Sequence, residues 1–397
     1  MKTATVTKLA DAKDDVALAV QAMADLTEQL KSFFLERDSV IDGIAAALVA
    51  GEHVLLLGPP GTAKSELVHA FCSALGGNFF STLCNRFQTP DEVFGPLSLK
   101  ALQEDRLLRS TANRLPEADV AFLDECYKGS SALLNSLLRA INERSFEQDG
   151  SMVKMPLRLV VGASNELPDE QDGLGAFHDR FLLRYQVERL KEEGSVCHLL
   201  TGKAKAEDLT FGKVTIAQLM LLQSEARDVQ MMHDALSAII KIRSELHEKG
   251  IRVSDRRWSK AIGLLRAEAV LRGRDNINSA GLAILEHCLW DRPEQIPVVR
   301  EVVSAHVASW IKAGRDAHAA LDEQLVRIRE AAKTGGTRHL AVGQIAKCVD
   351  VLVDIDASID AILKSSPDAN ELAEQLRTRL RSVKVEAQRA MKAHGYG

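Results

Sequence analysis

The run EHVLLLGPPGTAKSELVHAFCSAL, Glu52 to Leu75, constrains the fold more than any other part of this 397-residue chain. Val54–Leu57 is a short, unbroken apolar run that reads as a buried strand, and Ser65–Leu75 reads as a helix. Between them lie Gly58-Pro59-Pro60-Gly61-Thr62-Ala63-Lys64-Ser65. A loop that binds phosphates needs converging backbone N–H groups, a lysine that reaches the terminal phosphates and a hydroxyl for Mg²⁺. The N-terminus of the following helix adds partial positive charge. Lys64 is the candidate phosphate lysine and Ser65 the candidate Mg²⁺ ligand, with Gly58 to Ala63 forming the cradle. Ala63 stands where the pattern G-x-x-x-x-G-K-[ST] wants its second glycine, and it is expected to fit with a negative φ, as the first turn of a helix requires. The competing reading is a glycine-rich turn that binds nothing; Lys-Ser between strand and helix argues against it.

Two further apolar runs support this reading. Val120–Leu123 reads as a strand that delivers Asp124 and Glu125 to its carboxyl end, where ligands of parallel sheets sit. Asp124 can hold Mg²⁺ through its water shell, and Glu125 can polarise an attacking water. Leu157–Gly162 is a third buried strand, followed by Asn165, whose amide can hold that water in line. A helix is expected over Ser130–Glu143, with Leu133, Leu134, Leu137, Leu138 and Ile141 on one side. Apolar strands alternating with helices indicate an α/β unit, a parallel sheet covered on both faces.

Before the first strand, apolar residues fall at helical spacing from Asp14 to Phe34, and a second helix should end at Gly51. After about Glu188 the strand signal disappears, and helical patterns cover Val229–His247, Arg256–Leu271 and the stretch around Leu282–Leu289. DRPEQIP, Asp291–Pro297, is a plausible boundary. Beyond it, three helical patterns break at KTGGTR and SSPDA, with Ser366-Pro367 suited to start the last one. Cys348, Leu352, Ile355, Ile359 and Ile362 form one stripe, and Leu372, Leu376, Leu380, Val383 and Ala387 another. Such stripes fit an internal bundle seam better than an intermolecular coiled coil.

A net charge of −5 gives no global field toward nucleic acid or anionic membrane. The six cysteines contain no C-x-x-C pair and are expected to be reduced, mostly buried thiols of a cytoplasmic protein. No signal peptide is evident, and no apolar run approaches the roughly 20 residues of a membrane-spanning helix.

Taken in order, GPPGTAKS, RFQTPDEVFGPLSL (Arg86–Leu99), LPEADVAFLDE, LLNSLLRAINERSFE, ASNELP and VSDRRWSKAIGLLRAEAVLRGR resemble the AAA+ ATPases and, within them, the MoxR family, closest to its RavA branch. The resemblance runs from about Phe34 to Trp290. It implies an AAA+ core over 35–190 after a helical lead-in, 1–34, then an all-α lid, 191–292, and a C-terminal helical bundle, 293–397. The small β-rich module of RavA-like proteins is not expected, because 297–397 reads as helices throughout.

The resemblance also implies ATP and Mg²⁺ as ligands and a homo-oligomeric ring, most simply a hexamer. Arg180 in FHDRFLLR would be an arginine finger placed in the neighbouring subunit's site, with Arg184 as the alternative. The sensor-2 position falls on Ser254-Asp255-Arg256; Asp255 replaces the family's proline, so Arg257 competes with Arg256. Asn85 or Arg86 would couple the nucleotide to Glu125. Adenine would pack near Val40 and Ile41, which serve equally well as core residues. The implied work is chaperone-like remodelling of a protein or metalloenzyme complex, with a von Willebrand factor A (VWA) partner carrying a metal-ion-dependent adhesion site. The insertion at Asp91–Leu99 and a hairpin-like segment, Phe146–Met155, would face the pore or partner. A nucleic-acid remodeller is the rival reading; Asp91 and Glu92 against Lys100, and Glu147 and Asp149 against Lys154, do not look like a phosphate-tracking surface. A nucleotide-gated scaffold with little hydrolysis is the third, and the intact Asp124-Glu125 pair argues against it.

Overall fold

A five-stranded sheet organises the first part of the chain in the order β2-β3-β6-β1-β7. Its strands are β1 (His53–Leu57), β2 (Phe79–Leu83), β3 (Val120–Asp124), β6 (Leu159–Ser164) and β7 (Phe181–Gln186), every pair parallel. An antiparallel hairpin, β4 (Ser145–Gln148) and β5 (Ser151–Lys154), lies outside the sheet. The computed structural model describes residues 2–168, 174–201, 212–307, 309–333, 338–365 and 369–393. They divide into two compact units, Met1–Val303 and Ser304–Gly397.

The three strands expected from apolar runs are β1, β3 and β6, and they occupy the middle of the sheet, where both faces are covered. All residues of β1 and β6 are buried. At one edge, β2 leaves Ser81 and Leu83 exposed, so its apolar signal is broken. At the other, β7 buries Phe181 to Tyr185 with a charged Arg184 inside the run. The hairpin turns through Asp149 and Gly150 at φ 53° and 69°, the pair of left-handed residues that a two-residue turn of this twist requires.

The helices of this unit are α1 (Lys2–Phe33), α2 (Asp38–Ala50), α3 (Lys64–Ser73), α4 (Pro90–Phe94), α5 (Leu99–Leu102), α6 (Ser131–Glu143), α7 (Gly175–His178), α8 (Glu193–Thr201), α9 (Ile216–Asp228), α10 (His233–Glu248), α11 (Asp255–Leu271) and α12 (Ile296–His306). Helix α2 stops at Gly51, in the left-handed region at φ 68°, as its sequence suggests. It lies against β1 and β7, and α3 packs against β3 and β6. Helices α1, α9 and α11 pack on α2. In α11, Ser254 is the N-cap and accepts a hydrogen bond from the Arg257 amide.

The second unit is a bundle of α13 (Ser309–Lys333), α14 (Arg338–Ser365) and α15 (Asn370–Ala393). Its core contains Leu321, Ile328, Ile345, Leu352, Ile359, Leu376 and Val383. Both stripes read from the sequence therefore face the inside of this one unit. Each such aliphatic side chain contributes about 1.5–3 kcal/mol of burial. The Ser366-Pro367 pair lies outside the described residues.

Candidate nucleotide site

The loop between β1 and α3 is held on several sides. Gly58 N–H donates to Ser164 O at 3.0 Å, and a Cβ at Gly58 would meet Val187 O at 2.0 Å, so the backbones of β1, β6 and β7 converge there. The Thr62 hydroxyl donates to Pro59 O at 3.0 Å, closing the turn. Arg37, buried at the start of α2, donates to Glu188 O at 2.6 Å and reaches Thr62 O at 3.5 Å. Burial lowers its pKa, and the neighbouring Glu36 opposes that shift. Nothing in the sequence pattern singled out Arg37; an arginine immediately before the helix that precedes the loop was the available clue.

Ala63 corrects an expectation. It is the N-cap of α3, at φ 60° and ψ 24°, in the left-handed region rather than at a negative φ. Gly61, at φ 76°, is left-handed as well, and left-handed residues of this kind occur in the backbone turns that bind anions. For Ala63 that conformation costs about 1–2 kcal/mol. Leu67 N–H still reaches Ala63 O at 3.0 Å, so α3 starts normally behind it. A Cβ at Gly61 would meet nothing within 4 Å.

The chemistry-bearing side chains gather at the carboxyl ends of β1, β3 and β6. Lys64 Nζ donates to Gly58 O at 2.7 Å and Pro59 O at 2.9 Å, and lies 3.4 Å from Asn165 Oδ1. Burial lowers its pKa; Asp124 and Glu125 pull it back up, and Arg37 lowers it further. Ser65 Oγ donates to Asp124 Oδ2 at 3.1 Å. Asn165 Nδ2 donates to Glu125 Oε1, while Glu125 Oε2 pairs with Lys128 Nζ at 3.2 Å. Glu125 itself is left-handed, at φ 49° and ψ 44°, a second strained residue at the same site. Lys128 went unremarked in the sequence, although its i,i+3 spacing from Glu125 was the signal.

A serine hydroxyl beside an aspartate fits one side of a hydrated Mg²⁺, and a lysine over a glycine turn fits phosphate oxygens. Cys84 N–H donates to Asp124 O at 2.8 Å, which sets Asn85 and Arg86 just beyond the end of β2 beside that aspartate. Asn85 Oδ1 accepts from Phe87 N–H at 2.9 Å, and Arg86 is exposed. Burial pushes the Cys84 thiol up to about 12, so it is no nucleophile. Val40 lines a cavity of about 330 Å³ with Arg37, Gln186, Val187 and Glu188, whereas Ile41 is wholly buried in the core.

The paired arginines separate by burial. Arg184 is 0% exposed, donating to Trp290 O, to Asp291 Oδ1 at 2.5 Å and to His178 O at 3.3 Å. Its guanidinium is committed within the chain, which favours Arg180 over Arg184 as the candidate finger. Arg257 is likewise engaged, by Cys288 O, Asp179 Oδ1 at 3.1 Å, Phe181 O at 3.0 Å and Leu182 O at 2.8 Å, which favours Arg256 as the candidate sensor. Arg180 is half-buried with no hydrogen-bond partner at Nε among the described residues, and Arg256 is exposed, donating to Asn142 Oδ1 at 2.5 Å. The two are neighbours: burial and then the Arg256 charge lower the Arg180 pKa. Neither joins the Lys64 cluster. Phe181 is paired with His53 at the start of β1, so Arg180 sits at the end of the sheet opposite the phosphate loop.

A five-stranded parallel sheet in this order, with a lysine-serine loop after β1, two carboxylates ending β3 and a mainly helical segment after β7, defines the AAA+ ATPase class of fold; that segment is not all-α as expected, since Gln230–Met231 pairs in parallel with Asn276–Ile277. A family model described as the MoxR domain of MoxR-vWA-beta-propeller ternary systems matches residues 21–224, and an AAA lid domain model matches 234–303; the chain belongs to the MoxR family. An uncharacterized protein of Methanocaldococcus jannaschii is 36% identical over 332 residues, 82% of this chain and 86% of its own. Chaperone MoxR1 of Mycobacterium tuberculosis is 25% identical over 178 residues, 44% of this chain and 46% of its own. A crystal structure of a candidate ATPase from Cytophaga hutchinsonii shares the fold, with TM-score 0.59 at 14% identity, covering 75% of this chain and 97% of that one. Among the described residues, no helix is long and apolar enough to cross a membrane.

Proposed function

We propose that this chain hydrolyses ATP as a subunit of a closed ring, each site completed by arginines from the next subunit. The position of Arg180 carries the reading. Four residue steps of β1 alone separate its level from the loop, roughly 13 Å at 3.3 Å per step, before the loop itself is crossed. A cation there cannot serve its own subunit's phosphates. Beside Arg256, and with Nε unpartnered among the described residues, it suits an anion brought by a neighbour. A heterologous contact of this kind closes into a ring, most simply a hexamer.

Within one site, Lys64 and the loop N–H groups hold the β- and γ-phosphates, and the adenine lies toward Val40. Ser65 and Asp124 would hold Mg²⁺, which supplies charge neutralisation on the phosphates. Glu125, oriented by Asn165, accepts the proton of the attacking water once Lys128 yields its oxygen. Arg180 of the adjacent subunit stabilises charge on the transferring phosphoryl, worth about 10³–10⁵ in rate in other NTPases. The work done with this energy is chaperone-like remodelling of a protein or metalloenzyme complex with a VWA-domain partner. The matched family model, named for systems that contain such a domain, supports that part of the reading.

The test is ATPase rate per subunit against protein concentration. A rate that climbs with assembly is expected. A dilute monomer that turns over as fast as assembled protein contradicts the ring.

A further inference from the structure

The turn that carries Arg180 is tied to the turn that carries Glu125 by one directed hydrogen-bond chain. Glu125 caps a single 3₁₀ turn, Cys126–Lys128, and Tyr127 projects from it. The Tyr127 hydroxyl lies 2.6 Å from His178 Nδ1, and His178 Nε2 lies 3.2 Å from Asp291 O. A carbonyl only accepts, so Nε2 carries the proton, Nδ1 is the acceptor, and Tyr127 is the donor. Burial, with Arg184 and Arg257 nearby, pushes the imidazole down to about 3 against the pull of Asp291, which keeps that tautomer neutral. The Tyr127 ring also meets Phe177 edge-on at 6.2 Å.

His178 ends α7, two residues before Arg180, whose N–H bonds Phe177 O at 3.1 Å. The lid fixes the same turn from the other side: Arg257 holds Asp179 at 3.1 Å, and Asp291 O accepts from His178. Two anchors thus come from the lid and one comes from the segment of the hydrolytic glutamate.

We infer that Tyr127, acting through His178, is a positioning residue for Arg180, so that the Glu125 turn of one subunit sets the reach of the finger into its neighbour's site. The inference rests on Arg180 acting in trans. The effect of losing the Tyr127 hydroxyl then appears in the adjacent subunit and not in the subunit that carries the change. A residue that merely supported Glu125 would do the opposite.

The experiment separates the two by mixing full-length chains. Acceptor subunits carry Arg180→Ala and keep their own hydrolytic residues; donor subunits carry Glu125→Gln and keep their finger. Tyr127→Phe, which retains the ring and its packing, is introduced into one or the other, with ATP binding and assembly measured alongside. In the donor it should lower the complemented ATPase rate roughly tenfold, within the ~10²-fold that a misplacement of about 1 Å can cost. In the acceptor the loss should stay below about twofold. His178→Leu in the donor should reproduce the donor effect. A loss confined to the acceptor, or equal in both, overturns the inference. Absence of any complementation before Tyr127 is changed contradicts the trans finger itself, which is a different failure.

Discussion

Arg180 and Lys64 stand at opposite ends of the strands of one sheet. Arg180 immediately precedes Phe181, the partner of His53 at the start of β1, and Lys64 begins the helix that follows the end of β1. Arg180→Ala should therefore leave nucleotide affinity within about twofold and lower hydrolysis by about 10³ or more. Lys64→Ala should lose binding itself. Nucleotide titration beside steady-state ATPase measurement separates the two.

Arg184 and Arg180 share an eight-residue segment and should behave oppositely. Arg184→Met removes the partner of Asp291 and leaves Trp290 O without its donor, which costs about 1–3 kcal/mol for a buried acceptor. Because the Asp291 side chain is 60% exposed, losing its partner adds little to that cost. Arg180→Ala, at a half-buried edge, should change stability by no more than about 1 kcal/mol. Urea unfolding of both variants is the check.

Ala63 holds a left-handed conformation without being glycine. Ala63→Gly should raise stability by up to about 1 kcal/mol, the αL relief less the extra freedom of glycine in the unfolded chain. Ala63→Val should lower it by more than that, since β-branching worsens the same conformation. Denaturant midpoints of the three proteins should rank Gly above Ala above Val.

Two histidines held neutral, the buried His53 and the partly buried His178, make the fold acid-sensitive. His53 Nδ1 accepts from Val160 N–H at 3.1 Å and its Nε2 faces Ile141 O at 3.2 Å, so it is neutral. Burial chiefly pushes both His53 and His178 down to about 3. In the unfolded chain they titrate near 6.5. Their contribution is complete above about pH 6.5 and is lost as pH falls toward 3, by up to about 1.4 kcal/mol per unit for each. Urea midpoints should drop between pH 7.5 and 5, and less steeply in His53→Gln.

The loop, the carboxylate pair and Asn165 were legible because each ends an apolar run, and the carboxyl ends of strands in a parallel sheet gather at one end of it. Strand β7 hid what matters about its arginines. Phe181 to Tyr185 are all buried, so no alternation marks which arginine points inward. Arg256 and Arg257 are adjacent on a helix, and one step of about 100° decides which is consumed by Cys288 O and Asp179. The sign of φ at Ala63 was missed because the residue was read as the first of the helix, whereas it is the cap before it. Tyr127 and His178 are far apart in sequence, and only the packing of α7 brings them together.

Mixing Arg180→Ala with Glu125→Gln tests the central claim most directly. Each variant alone should be inactive, one lacking the finger and the other the hydrolytic carboxylate. The equal mixture should regain activity at roughly a quarter of sites, those where an intact glutamate meets an intact finger across a heterologous interface. A mixture as inactive as its components, in rings shown to contain both chains, would contradict the account.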